Sequence, residues 1–187
     1  MNALRTYAGL LCLTFLFSCS QFSTREEPVS DWSFKGKMAV QNETESSSFN
    51  IYWLQQAEQY QIELSGPFGQ GLTTIKGEPG LVVLIRGDDL LYSDSLSNLV
   101  AENTTLNLPL DYLQYWVRAL PAPGVTYQAS QNESGQTTGI LQSGWNVSIN
   151  GYFDQSDHLP KKLSFAKAKQ SGKLVIREWP QAPTLTE

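Results

Sequence analysis

Cysteine, histidine and charge are all scarce in this chain, and each scarcity closes off a class of function. Only two of the 187 residues are cysteines, Cys12 and Cys19, both near the N-terminus. The body of the chain therefore has no thiols for a disulfide framework or a Cys-based zinc site. A lone histidine, His158, weakens any His-dependent triad or metal centre, because a ligand or base needs partners. It stands in Gln155-Ser-Asp-His-Leu-Pro, which reads as a loop. Charged residues make up 17%, with 13 Lys+Arg against 18 Asp+Glu and a net charge of −5. No basic run supplies the positive field that nucleic acid requires, so nucleic acid is not an expected partner. The chain also lacks a G-x-S-x-G elbow, an H-E-x-x-H pair and a phosphate-cradling glycine loop. Asp88-Asp89 reads as a solvated turn between strands rather than as a catalytic carboxylate pair. The expectation is a protein that is not an enzyme, with no catalytic residues, no metal and no cofactor. The 41% hydrophobic content excludes wholesale disorder and supplies one domain with a core.

The first residues read as an address. Arg5 is the only charge before Phe17, and Tyr7–Phe17 is a weakly polar to apolar stretch. That layout matches a secretory signal and is too short to span a bilayer core of about 30 Å. Leu16-Phe17-Ser18-Cys19 resembles a bacterial lipobox, in which a peptidase cuts before a cysteine carrying diacylglycerol; Phe17 stands where a small residue is usual. Residues 1–18 are thus expected to leave as a signal peptide, with Cys19 as the lipidation site. The remaining 187 − 18 = 169 residues, less Arg5, carry 12 basic and 18 acidic groups, or −6. Ser20 follows where an Asp would mark inner-membrane retention, which by that resemblance implies the periplasmic face of the outer membrane. Residues 19–31 form the lipidated N-terminus and a polar tether.

After Trp32 the period is two. Phe34, Gly36, Met38 and Val40 alternate with Lys35, Lys37 and Ala39, and Phe49, Ile51 and Trp53 with Asn50, Tyr52 and Leu54. Tyr60, Ile62 and Leu64 alternate with Gln61 and Glu63. Such alternation predicts half-buried antiparallel strands. Further strands are expected over 71–77, 81–86, 126–130, 137–142, 145–150, 161–168 and 173–179, separated by turn signals. Many short strands with no βαβ rhythm indicate a sandwich or barrel. Residues 95–102 and 111–120 break the pattern with apolar residues three and four apart. Asp111 is the expected N-cap of the second helix, and Pro121-Ala-Pro-Gly its stop. One use for two short helices is to close an open barrel end.

What remains is aromatic. Trp32, Trp53, Trp116, Trp145 and Trp179 suit either an ordinary filled core or the lining of an internal space. In Ser65-Gly-Pro-Phe-Gly-Gln-Gly71, Pro67 and Gly69 force a turn that leaves Phe68 at its tip. Phe68 either folds back on the core or projects into lipid, where burying one Phe contributes about 1.5–3 kcal/mol.

The chain resembles the LolB family of outer-membrane lipoprotein receptors. The resemblance rests on Trp32-Ser-Phe-Lys-Gly-Lys-Met-Ala-Val40, the Trp53 strand and Leu64-Ser-Gly-Pro-Phe-Gly-Gln-Gly71. It continues through Leu108-Pro-Leu110, Tyr115-Trp-Val-Arg-Ala-Leu-Pro-Ala-Pro-Gly124, Gly144-Trp-Asn-Val147 and Leu159-Pro-Lys-Lys-Leu163, in family order behind the lipobox. It implies a mainly β fold, a half-open antiparallel barrel with a short helical lid, as a single domain over 32–179 before a tail at 180–187. It further implies an apolar cavity for acyl chains, assigned to Met38, Phe49, Ile51, Trp53, Ile62, Leu64, Leu113, Trp116, Val117 and Trp145. The implied partners are the soluble periplasmic carrier LolA, acylated lipoproteins as cargo and outer-membrane lipid, with the receptor acting as a monomer. Pro67, Phe68 and Gly69 fall on the family's membrane-insertion loop, with Phe68 where the family has an exposed Leu. Family members with a longer segment before the first strand form an additional lid helix there, for which Ser30-Asp-Trp-Ser-Phe34 leaves almost no room. The alternative is a structural or assembly-scaffold lipoprotein with a filled barrel.

Overall fold

A computed structural model describes residues 31–103, 109–154 and 156–181. The expected signal peptide, Cys19, the tether before Asp31, Leu108 and the tail beyond 181 lie outside the described residues.

Thirteen strands and two helices are described, beginning with the meander β1 (Trp32–Gln41), β2 (Ser46–Gln56), β3 (Gln59–Ser65), β4 (Thr73–Glu78), β5 (Leu81–Arg86) and β6 (Asp89–Ser93). Helices α1 (Leu96–Asn103) and α2 (Leu110–Trp116) follow, then β7 (Tyr127–Gln131), β8 (Thr137–Gln142) and β9 (Trp145–Ile149). A small hairpin of β10 (Tyr152–Phe153) and β11 (Ser156–Pro160) precedes β12 (Lys162–Lys167) and β13 (Gln170–Glu178). Eleven strands form one sheet in the order β6-β5-β4-β3-β2-β1-β13-β12-β9-β8-β7. The first and last described strands therefore meet mid-sheet, Met38 opposite Leu174, while among the described residues β6 and β7 remain unjoined edges. This is the half-open antiparallel barrel with a helical lid.

Period-two patterning drives the curl. Along β1 the side chains from Phe34 onward alternate buried and exposed, because one face of each strand meets the core and the other meets water. Two inward positions are glycines roofed by rings. A Cβ on Gly77 would sit 2.0 Å from the Tyr60 ring, and one on Gly172 would sit 2.2 Å from that of Phe165. The ring of the cross-strand partner takes the space a side chain would occupy.

Three local expectations need correction. The turn at Gly87-Asp88 is tighter than expected, and Asp89 opens β6 instead of completing a loop. His158 lies on β11, exposed, rather than in a loop: β11 pairs with β10 through Ser156 and Pro160 on either side of it. Asp111 does not cap α2: Pro109 holds the N-cap position with no side-chain cap bond. Asp111 lies in the first turn, where a carboxylate suits the helix dipole and accepts a hydrogen bond from Ser97 Oγ of α1. The missed cap is Ser95, whose hydroxyl accepts from the Asn98 backbone N–H at 3.2 Å at the start of α1.

Candidate functional site: an apolar cavity beneath the lid and a projecting loop

Two aromatic clusters divide the interior. In the first, Trp32, Phe34, Trp53 and Trp179 interleave at centroid separations of 5.6–6.3 Å, with Tyr60 beside Trp53. In the second, Trp116 of α2 packs on Tyr112, Trp145 and Phe165 at 5.5–6.2 Å. The second cluster is solid. Gln142 locks it: its Oε1 accepts from Trp116 Nε1 at 3.1 Å and from the Ala122 N–H at 2.9 Å. Its Nε2 donates to the carbonyls of Ala122, at 2.8 Å, and Val125, at 3.3 Å. A buried amide with both its oxygen and its nitrogen doubly engaged welds the chain after α2 to β8.

Between the β2–β5 sheet and α1 the packing is incomplete. A cavity of about 190 Å³ opens there, lined by inward residues of β1–β5 and by Leu99, Val100, Asn103 and Leu110 of the helical layer. Six of the ten expected cavity residues line it: Met38, Phe49, Ile51, Trp53, Ile62 and Leu64. Leu113, Trp116, Val117 and Trp145 do not; they are buried in the solid half. Thr73, Ile75, Leu84 and Leu99 line the space as well and were missed. The inward alternation of β4 and β5 was the available signal for Thr73, Ile75 and Leu84, and the helical spacing of α1 that for Leu99. Glu45, Ser47, Arg86 and Asn103 add polar groups to an otherwise apolar wall, and Arg86 Nε donates to Thr73 Oγ1 at 3.3 Å. Tyr60, beside Trp53, has its phenol pushed up to about 12, first by burial and then by the Asp111 carboxylate.

The second feature is the loop between β3 and β4. Gly66 N–H donates to Gln70 O at 2.8 Å and Gly69 N–H to Gly66 O at 2.9 Å, while Asn50 Nδ2 fastens Gly66 O to β2 at 3.0 Å. Gly69 and Gly71 adopt φ of +82° and +63°, a region glycine enters without strain. The loop is thus internally bonded, yet Phe68 at its tip is 87% exposed and Leu72 is 54% exposed. Phe68 does not fold back onto the core.

Among the described residues no group of three or more His, Cys, Asp or Glu is arranged to hold a metal, and no helix is long and apolar enough to cross a membrane.

A family model described as outer membrane lipoprotein LolB matches residues 30–179. The chain belongs to the LolB family. The outer-membrane lipoprotein LolB of Pseudomonas fluorescens is 33% identical over 150 residues, covering 79% of this chain and 73% of that protein. That of Chromohalobacter salexigens is 32% identical over 193 residues, covering 94% and 90%. Among solved structures, a LolA superfamily protein from Nitrosomonas europaea superposes with a TM-score of 0.54 over 86% of this chain and 89% of that one, at 9% identity. At that identity the likeness speaks for the fold alone, a half-open antiparallel barrel.

Proposed function

We propose that this protein is an outer-membrane lipoprotein receptor, anchored by acyl chains on Cys19 at the periplasmic face. It accepts acylated lipoproteins from a soluble LolA-type carrier and inserts them into the outer membrane. The observation that carries the reading is the apolar cavity beneath α1 in a member of the LolB family. A barrel serving only as a scaffold is not favoured, since it has no use for unfilled apolar space.

The chemistry is that of partition, not of bond making. An acyl chain leaving the carrier exchanges one apolar environment for another, so no nucleotide is required if this cavity holds the chain more tightly than the donor does. At about 190 Å³ the cavity is somewhat larger than one that holds benzene, roughly 150 Å³, and smaller than a typical ligand site of about 300–1,000 Å³. A whole chain enters only if the lid yields. Helix α1 is the element to move, resting on the cavity through Leu99 and tied to α2 through Ser97 and Asp111. Delivery then falls to Phe68, which places an apolar group in the bilayer close to the cavity wall that includes Leu64 and Thr73.

The test separates acceptance from insertion. Phe68→Glu is expected to take lipoprotein from the carrier at the normal rate and to leave it uninserted. Insertion by that variant at the wild-type rate would overturn the loop's role; failure to accept cargo at all would overturn the division of labour.

A further inference from the structure

The outer face of β5 and β6 is apolar although nothing among the described residues covers it. Cross-strand register puts Ile85 and Leu90 beside each other, and Val83 beside Tyr92. These positions continue the row of Thr74 and Glu63 on the solvent side of the sheet, whereas Leu91 follows Leu84 and Ile75 on the inner side. Leu90 is 53% and Tyr92 64% exposed, and Leu81 extends the strip along β5. The strip stops at the polar outer row of β4, Thr74, Lys76 and Glu78, and on its other side at the unpaired sheet edge. Exposed apolar patches on an edge strand are normally suppressed, so one that persists marks a contact surface.

Its ends identify the contact. Leu64 pairs with Thr73 and Thr73 with Arg86, so the β5–β6 turn and Leu90 share an end of the sheet with the Phe68 loop and Leu72. Leu81 and Ser93 lie at the opposite end, with the β2–β3 turn, where Asp31 Oδ1 accepts from the Ala57 N–H at 3.2 Å. The tether from Cys19 thus enters at one end of the sheet, several strands from the strip, and Phe68 stands at the other end. From Cys19 to Asp31 there are 31 − 19 = 12 residue steps, a reach of about 40 Å when fully extended but only about 20 Å as a relaxed coil. Strand β3 alone spans roughly 20 Å between the two ends, before the loop's own projection is added. Standing upright on Phe68 would pull the tether toward full extension. Lying on the β5–β6 face sets the two ends of the sheet, that of Asp31 and that of Phe68, level above the surface, so the tether no longer has to climb the length of a strand.

We propose that this receptor rests side-on, with Leu90 and Tyr92 of the outer β5–β6 face in contact with the lipid surface together with Phe68. Tyr92 supplies the amphipathic ring that a membrane interface favours. The proposal rests on lipid anchoring at Cys19 and on insertion of the Phe68 loop, and it adds the orientation of the barrel above the bilayer.

The test uses the mature acylated protein in vesicles of phosphatidylethanolamine and phosphatidylglycerol. Because acylation blocks Cys19, single cysteines introduced as Phe68→Cys, Leu90→Cys, Tyr92→Cys or Leu141→Cys carry the only free thiol, to which an environment-sensitive fluorophore is attached. Brominated lipid is expected to quench probes at 68, 90 and 92 about threefold or more beyond the probe at 141, which sits on β8 near the other sheet edge. Quenching at 68 alone would overturn the side-on orientation and leave the loop reading standing. No quenching at any site would overturn both. Shielding of 90 and 92 only on adding LolA-type carrier, or disulfide cross-linking between two copies through Leu90→Cys, would assign the face to a protein and overturn the lipid assignment.

Discussion

The indole N–H of Trp116 donates to Gln142 Oε1 at 3.1 Å, and through this bond the second lid helix is held to β8 across the solid half of the barrel. The same amide satisfies Ala122 N–H and C=O, so three buried backbone or side-chain groups depend on one side chain. Gln142→Leu keeps the volume and strands all three. The expected cost is about 2–5 kcal/mol, since each buried polar group left unpaired costs about 1–3 kcal/mol and the segment relaxes in part. Urea denaturation followed by tryptophan fluorescence measures it; a loss below about 1 kcal/mol would show that water replaces the amide readily.

Acyl-chain contact is expected to follow the hollow half only. A photo-crosslinker at Leu99 or Phe49, which line the cavity, should capture lipoprotein acyl groups, while one at Trp145 should not. Equal capture at Trp145 would mean that the solid cluster opens during loading.

Filling the space without disturbing the fold should separate binding from stability. Ser47 lines the cavity and is only partly buried. Ser47→Phe is expected to lower uptake of a fluorescent fatty-acid analogue on the order of tenfold by occupying part of the guest volume, with the thermal midpoint held or raised. Unchanged uptake would place the acyl chain elsewhere.

The covered glycines give a sharp stability test. Gly77→Ala drives a methyl into the Tyr60 ring, displacing it from Trp53, at an expected cost of about 1–3 kcal/mol. Truncation of the ring in a Gly77→Ala/Tyr60→Ala double variant should remove the clash, so that the two losses are less than additive in a double-mutant cycle. Strict additivity would show that the ring and the glycine do not act together.

Alkaline pH should weaken the fold through Tyr60. Its phenol has a folded value of about 12 against an ordinary value of 10.0, so the fold favours the neutral form. The associated stability is complete below pH about 10 and is lost as pH rises through the folded value. Tyr60→Phe keeps the ring over Gly77 and should flatten the fall of the urea midpoint between pH about 10 and 12. An unchanged slope would assign that loss to other groups, Tyr152 among them, whose phenol is also raised by burial.

Much of this architecture is legible in one dimension. Alternation along Phe34–Val40, Phe49–Leu54 and Tyr60–Leu64 determines which side chains face inward, because a strand has period two and one wet face. Turn residues place most hairpins for the same local reason, and the Pro67–Gly69 turn by itself puts an apolar Phe68 at a loop tip. Cys12 and Cys19, the scarce residues, determine that nothing in the body is held by a disulfide. Other features arise only when distant segments meet. Trp53 and Trp116 look alike as inward aromatics, yet one borders a cavity and the other lies in a solid cluster. That outcome depends on how α1 and α2 seat against opposite halves of the curled sheet, and on a glutamine whose partners lie 17–26 residues away. Edge status is equally invisible in a strand's own residues: Leu91 faces inward yet stays 39% exposed, because among the described residues no strand lies beyond β6. Local pattern determined the faces, while the closure of the sheet, left incomplete at β6 and β7, decided which faces meet core, cavity or solvent.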